Sequence, residues 1–117
     1  MRFDRLPAPT RLGLYGLAVA VLLYLCLAPT RDLPKVTLWD KAEHAIAWFV
    51  LATVGFVLFP ARVGRVVVFA VALGGIVELL QGALPTGRDM DWKDWVADSA
   101  GVTVALAGWM LAQRRRV

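Results

Sequence analysis

Four long apolar runs divide this chain of 117 residues, and they limit the folds that it can adopt. The runs cover residues 12–28, 45–59, 66–84 and 96–112. Each is roughly 15 to 19 residues long, close to the length of about 20 residues that a helix needs to cross the hydrocarbon core of a bilayer. Membrane strands are shorter and alternate apolar with polar residues, and these runs show no such alternation. The runs therefore predict transmembrane helices.

The composition agrees with a membrane location. Apolar residues make up 59% of the chain and charged residues 19%, whereas a soluble domain of this size usually has fewer apolar and more charged residues. The prolines that separate the runs favour helix ends there; they are Pro29, Pro34, Pro60 and Pro85. We predict an all-α membrane bundle in one domain, residues 1–117. Its four transmembrane helices are predicted at about 12–28, 42–59, 66–84 and 94–112.

The first run has a basic start, as a secretory signal peptide has. Its apolar core is longer than that of a usual signal peptide, and no clear pattern of small residues marks a cleavage site before Pro29. Cys26 follows a leucine rather than a small residue, which argues against lipoprotein processing. We therefore expect a retained first helix. As the only cysteine, Cys26 forms no internal disulfide.

Lysine and arginine counts predict the orientation. The two terminal segments and the connection between the second and third helices carry eight of these residues, and the opposite side carries five. Cytoplasmic segments have the excess of basic residues, so both termini are predicted to be cytoplasmic. The arginines at 114–116 are interpreted as an anchor at the membrane surface. We predict membrane lipids as partners, with no nucleic-acid partner and no cofactor.

Polar residues gather at the opposite membrane face, at the ends of the second, third and fourth predicted helices. Asp40 and His44 are four residues apart and share a helix face. Glu78 lies six residues before the end of its run, about 9 Å inside the hydrocarbon edge. An ionisable group at that depth costs several kcal/mol unless it has a partner or a polar pocket. The pattern therefore predicts a pocket between three helices rather than a solvated rim.

The residue types in this pocket suggest acid–base chemistry or headgroup binding. The candidates for catalysis are His44, Glu78, Asp91 and Asp94. The candidates for binding are Asp40, Lys41, Gln81, Arg88 and Asp98. The same acids could hold a hard cation. With one histidine and no recognised ligand spacing, however, the sequence names no metal ligand and leaves open whether a divalent cation binds.

Structural interpretations of the same residues remain open. His44 alone is more often a hydrogen-bonded interface residue than a ligand. Arg88 and Lys93 pair with nearby acids in one interpretation, and in the other Arg88 holds a phosphate or carboxylate. Tryptophans near this face are interpreted first as an aromatic belt; they are Trp39, Trp92 and Trp95. Small residues that continue the acidic stripe of the fourth helix are interpreted as packing positions; they are Gly101, Ala105 and Gly108.

These residues, in this order, resemble the VanZ-like family of small membrane proteins. The matching pieces are Asp40-Lys41-x-x-His44, Glu78-x-x-Gln81, Arg88-x-x-Asp91-x-x-Asp94 and Asp98-x-x-Gly101. The resemblance covers about residues 40 to 108, and the first helix matches only as an apolar segment. One position departs: the family commonly has asparagine where this chain has Asp98. Aspartate keeps the acceptor, loses the amide donor and adds a charge, which predicts that Asp98 is protonated or paired with Arg88 or Lys93.

The resemblance implies a bacterial cytoplasmic membrane protein with an envelope role. The namesake of the family is associated with low-level resistance to teicoplanin, a glycopeptide that acts on cell-wall precursors outside the membrane. The expected function is therefore to bind or act on the headgroup of an envelope lipid or a lipid-linked cell-wall precursor. The alternative is a non-catalytic membrane factor whose polar residues form a helix-packing network. The resemblance leaves open which of the two applies and whether the chain is an enzyme.

Overall fold

The protein is an all-α, multi-pass membrane protein with four helices long and apolar enough to cross a bilayer. The computed structural model describes residues 3–27, 40–84 and 91–115, and it contains no strand among them. The helices are α1 (Ala8–Leu27), α2 (Asp40–Leu58), α3 (Val63–Ala83) and α4 (Trp92–Arg115). Short 3-10 helices at Phe3–Arg5 and Pro60–Arg62 precede α1 and α3. The predicted number and type of helices are confirmed.

All four helices start earlier than the apolar runs indicate, and α4 also ends later. α1 begins at Ala8 and includes Pro9 in its first turn, where the missing N–H has no helical partner in any case. α4 continues to Arg115, because basic side chains in a last turn interact favourably with the helix dipole. Hydropathy marks the part of a helix that lies in hydrocarbon, not the turns beyond it.

Hydrogen bonds between helices fix their antiparallel order. Arg11 Nη1 at the start of α1 donates to the Leu58 carbonyl at the end of α2, at 3.0 Å. Gln81 Nε2 near the end of α3 donates to the Cys26 carbonyl near the end of α1, at 2.9 Å. α1 and α3 therefore run one way and α2 the other. The starts of α2 and α4 also meet, through His44 and Asp98.

The packing is tightest between α2 and α4, which share the most extensive contact of any helix pair. Trp48, Phe56 and Val102 fill this part of the core and are almost fully buried. Gly101 of α4 lies against the backbone of Ala45, so close that a Cβ there would collide with the Ala45 carbonyl oxygen. Such close approach of backbones is typical of small residues in membrane helices.

The outer surface of the bundle is apolar, as a surface facing lipid requires. Val68, Leu79 and Val104 are 69%, 65% and 60% exposed, which would be unfavourable for so many large side chains in water. α1 is the most peripheral helix, since its only buried residues are Leu22 and Cys26.

The predicted stripe of small packing residues is correct for part of its length. Gly101 and Ala105 are buried against α2 or the core. Gly108 is exposed, and a Cβ there would meet nothing within 4 Å, so its assignment as a packing position within the chain was wrong. On α3, Gly74 does permit close approach: a Cβ there would lie 3.0 Å from Asp98 Oδ2 and 3.1 Å from Trp95 Cδ1.

Candidate functional site

One end of the bundle holds a group of charged side chains from three helices, which we name the polar cluster. Its members are Lys41, His44, Glu78, Asp91, Asp94 and Asp98. The antiparallel order explains the grouping, because α2 starts, α3 ends and α4 starts at this end. Four members are buried, with exposures between 0% and 6%: His44, Glu78, Asp94 and Asp98.

His44 lies between two carboxylates of α4. Its Nδ1 is 2.9 Å from Asp98 Oδ1, and its Nε2 is 3.8 Å from Asp94 Oδ2. With Asp98 ionised, its carboxylate only accepts hydrogen bonds, and the ring then donates at Nδ1. The carboxylate thereby fixes both the orientation and the tautomer of the ring. Among the described residues Asp98 pairs with His44. The predictions that Asp98 is protonated or paired with Arg88 or Lys93 stay predictions, and Arg88 lies outside the described residues.

Lys41 bridges two acids at the edge of the polar cluster. Its Nζ lies 3.0 Å from Asp91 Oδ2 and 3.2 Å from Asp94 Oδ1. Asp91 precedes the first residue of α4, outside the membrane-spanning segments. The Lys41 ammonium, with the Lys93 backbone N–H as a second donor, holds the pKa of the Asp91 carboxyl below its usual value. Asp91 therefore stays ionised, and its ion pair with Lys41 holds the start of α2 next to the start of α4.

The two carboxylate oxygens of Glu78 differ in their hydrogen bonding. Its Oε2 accepts a hydrogen bond from the Asp91 backbone N–H at 3.0 Å. Its Oε1 is buried and has no hydrogen-bond partner among the described residues. A buried acceptor without a partner costs roughly 1–3 kcal/mol of stability. Glu78 Oε1 therefore destabilises the bundle unless another group binds to it.

Trp48 supports the polar cluster from the side of the core. Its ring stacks on His44 with centroids 6.0 Å apart and an interplanar angle of 12°. Its Nε1 donates to the Ala70 carbonyl of α3 at 2.8 Å, and the side chain is fully buried. Trp48 lies one helical turn after His44 in the sequence, and no role was predicted for it from the sequence. The spacing of four residues was the available signal, since it puts both rings on one helix face.

The structure brings most of the predicted site residues together. His44, Glu78, Asp94 and Asp98 meet in the buried part, with Lys41 and Asp91 at the edge. Gln81 is fully buried nearby, but its amide donates to the Cys26 carbonyl of α1 and so ties α1 to α3. Asp40 opens α2, and its side chain lies outside the described structure. Arg88 and Trp39 also lie outside the described residues. The roles assigned to these residues remain predictions.

A groove between α2 and α4 opens beside the polar cluster, and we name it the α2/α4 groove. Its volume is about 470 Å³, and its lining includes Lys41, Ala45, Trp92, Lys93, Ala97 and Ala100. A second cavity of about 240 Å³ shares Ala45 and Ala100 with it and extends to Phe49 and Val104. The groove thus has two lysines and a tryptophan at one end and small or apolar residues along its length.

The tryptophans at this end are exposed to different degrees. Trp92 is 68% exposed and Trp95 43%, and Trp95 Nε1 donates to the Val71 carbonyl of α3 at 2.9 Å. An exposed ring at the end of a transmembrane helix agrees with their interpretation as an aromatic belt.

No protein-family model, curated protein or solved structure matches this chain. Its class is defined by fold and site alone: it is a four-helix membrane protein with a buried histidine–carboxylate cluster at one end.

Proposed function

We propose that this chain is a VanZ-like protein of the bacterial cytoplasmic membrane, with both termini in the cytoplasm. It binds the phosphate-bearing headgroup of an envelope lipid or lipid-linked cell-wall precursor at the outer leaflet, in an envelope or glycopeptide-resistance role. The observation that carries the proposal is the position of Lys41. This residue lines the α2/α4 groove and also donates to Asp91 and Asp94 of the polar cluster. A headgroup in the groove is therefore adjacent to the polar cluster.

The shape of the α2/α4 groove suits a lipid. A hydrocarbon chain would lie along the small residues Ala45, Ala97 and Ala100, since small residues leave room between helices. Lys41 and Lys93 at the open end have the charge that attracts a phosphate, and basic residues at membrane surfaces attract anionic lipids. Trp92 stands at the same end, where the headgroup layer meets the hydrocarbon.

The polar cluster supplies the chemistry in this proposal. His44, Glu78, Asp91 and Asp94 are the candidates for proton transfer, and His44 is oriented for it by Asp98. A histidine held between two carboxylates can accept a proton while the carboxylates stabilise the charged ring. The same groups would serve a binding protein by holding water or an ion at the headgroup.

The second candidate function is a structural membrane factor, in which the polar cluster only joins helices. The observation that favours it is the number of bonds between helices: Lys41 and His44 of α2 both bond to acids of α4. Glu78 Oε1 favours the first candidate, because a purely structural network gains nothing from a buried, unpaired carboxylate oxygen.

Filling the α2/α4 groove is expected to weaken lipid binding. Ala100 is exposed in the groove, so Ala100→Phe places a ring where the proposal puts the lipid chain. We expect affinity for phosphatidylglycerol or polyprenyl phosphate, each embedded in phosphatidylcholine nanodiscs, to fall at least about tenfold, or 1.4 kcal/mol. Native mass spectrometry of the bound lipids measures this, and the two lipids distinguish a phospholipid from a cell-wall carrier.

Ala83→Phe is the matched control for this experiment. Ala83 is also an exposed alanine, at the end of α3 and outside the α2/α4 groove, so binding should stay at the wild-type level. Equal binding by wild type and Ala100→Phe, or no preference for either anionic lipid over phosphatidylcholine, would exclude the groove as a headgroup site.

A further inference from the structure

Three buried side chains of the polar cluster, each from a different helix, direct ligand atoms toward one another. One nitrogen of His44 and one carboxylate oxygen each of Glu78 and Asp94 all lie within 4.8 Å of each other. All three residues are at least 94% buried. Small closing movements of these side chains would bring their atoms to the distances of about 2.0–2.2 Å at which nitrogen and oxygen bind a metal ion.

The orientation of His44 is that of a metal ligand. Asp98 Oδ1 accepts from Nδ1 at 2.9 Å, which turns Nε2 toward Asp94 Oδ2, 3.8 Å away. Histidines that bind metals usually donate their other ring N–H to a carboxylate or a carbonyl, which fixes the tautomer and raises the basicity of the ligand nitrogen. Asp98 has this supporting position, and it would not itself contact the ion.

The charges in the buried part of the polar cluster favour a cation. Glu78, Asp94 and Asp98 are three buried carboxylates, and Lys41 is the lysine whose ammonium reaches Asp94, at 3.2 Å. Buried carboxylates persist in a membrane protein only beside a partner or in a polar pocket. Glu78 Oε1 is also buried without a hydrogen-bond partner among the described residues. A divalent ion would balance negative charge in this part of the polar cluster, and Glu78 Oε1 would be one of its ligands.

We propose that His44, Glu78 and Asp94 bind one divalent transition-metal ion of the Zn²⁺ type. The donor set of one imidazole and two carboxylates suits such an ion better than Mg²⁺, which prefers oxygen ligands alone. Asp94 would use Oδ2, because its Oδ1 accepts from Lys41. Three protein ligands leave a fourth position open for water or a phosphate oxygen. The site does not depend on the proposed lipid function, since it concerns the ion alone.

Direct titration tests the metal site. The full chain is purified in detergent, freed of metal with a chelator, and titrated with ZnCl₂ by isothermal calorimetry, with bound zinc counted by mass spectrometry. We expect one Zn²⁺ per chain. Glu78→Gln and Asp94→Asn should each lower the affinity at least tenfold. Asp98→Asn, which keeps an acceptor for His44 but loses the charge, should lower it by a smaller factor than either ligand variant, because Asp98 only supports a ligand.

Glu43→Gln is the control for charge alone. Glu43 is a half-buried acid next to His44 in sequence, and its loss should leave zinc affinity unchanged. Helicity and elution volume of each variant establish that it is folded. The proposal is overturned if the wild type binds no stoichiometric zinc, if Mg²⁺ binds as tightly as Zn²⁺, or if the folded Glu78→Gln variant retains full affinity.

Discussion

Gly101→Ala is expected to destabilise the bundle strongly, and much more than the same substitution at Gly108, the other glycine of α4. The new Cβ would collide with the carbonyl oxygen of Ala45 and approach Phe49 N to 3.0 Å. Both contacts are with backbone, which cannot rotate away as a side chain can. Overpacking of this kind typically costs about 1–3 kcal/mol, and occasionally more. Because α2 and α4 share the most extensive interface, separating them also moves His44 away from Asp98.

The measurement is thermal unfolding of purified protein in detergent, with Gly108→Ala as the matched control. A Cβ at Gly108 meets nothing within 4 Å, and alanine favours a helix over glycine by up to about 1 kcal/mol. The control should therefore unfold at the wild-type temperature or above it, whereas Gly101→Ala should unfold well below it or fail to accumulate. Equal melting of the two variants would contradict the close approach of α2 and α4.

His44→Ala is expected to cause the largest loss of stability among changes in the polar cluster. It removes the ring that donates to Asp98, whose side chain is fully buried, and the ring that stacks on Trp48. Removing a hydrogen-bond partner from a buried polar group typically costs about 1–3 kcal/mol, and more where the group is charged. The loss should be visible as a lower Tm in detergent and as reduced accumulation in the membrane.

His44→Asn separates the contribution of the hydrogen bond to stability from that of the packing of the ring. The asparagine amide places a donor close to where Nδ1 lies, so it can still donate to Asp98 Oδ1. We expect His44→Asn to recover a substantial part of the stability that His44→Ala loses. If the two variants unfold together at the wild-type temperature, the His44–Asp98 bond does not contribute to stability and the described geometry is wrong.

The fold could be predicted from the sequence because a membrane helix has a strong local signal. Each apolar run is a property of neighbouring residues, and four of them define four helices. The ends of the helices were predicted less well. Pro9 and Arg115 lie outside the apolar runs, but proline is compatible with the first turn of a helix and arginine with the last.

The residues of the polar cluster could also be predicted, but not their pairing. Helical spacing and antiparallel order bring His44 and Asp98 to the same end, although they are 54 positions apart in sequence. Which carboxylate contacts which nitrogen depends on the rotation of each helix, and that rotation is set by packing such as Gly101 against Ala45. The ligand set of the proposed metal site could not be named from the sequence for the same reason: each helix supplies one of its residues, so no local spacing reveals it.

The central claim is that the polar cluster is a functional site and not only a device for joining helices. Glu78 distinguishes these, since Glu78→Gln keeps an acceptor for the Asp91 N–H and removes a buried charge whose Oε1 has no partner in the described structure. Functional sites often reduce stability, and replacing their residues often raises it. A structural network would instead lose the charge that strengthens the hydrogen bond from the Asp91 N–H.

The most direct measurement is therefore the Tm of Glu78→Gln against wild type, both freed of metal with a chelator in the same detergent. The account predicts a Tm equal to or above that of the wild type, because the amide keeps the acceptor for the Asp91 N–H and removes the cost of holding an ionisable acid inside the bundle. A Tm lower by about 5 °C or more, roughly what a loss of 1 kcal/mol produces in a domain of this size, would contradict it and identify the polar cluster as a structural network.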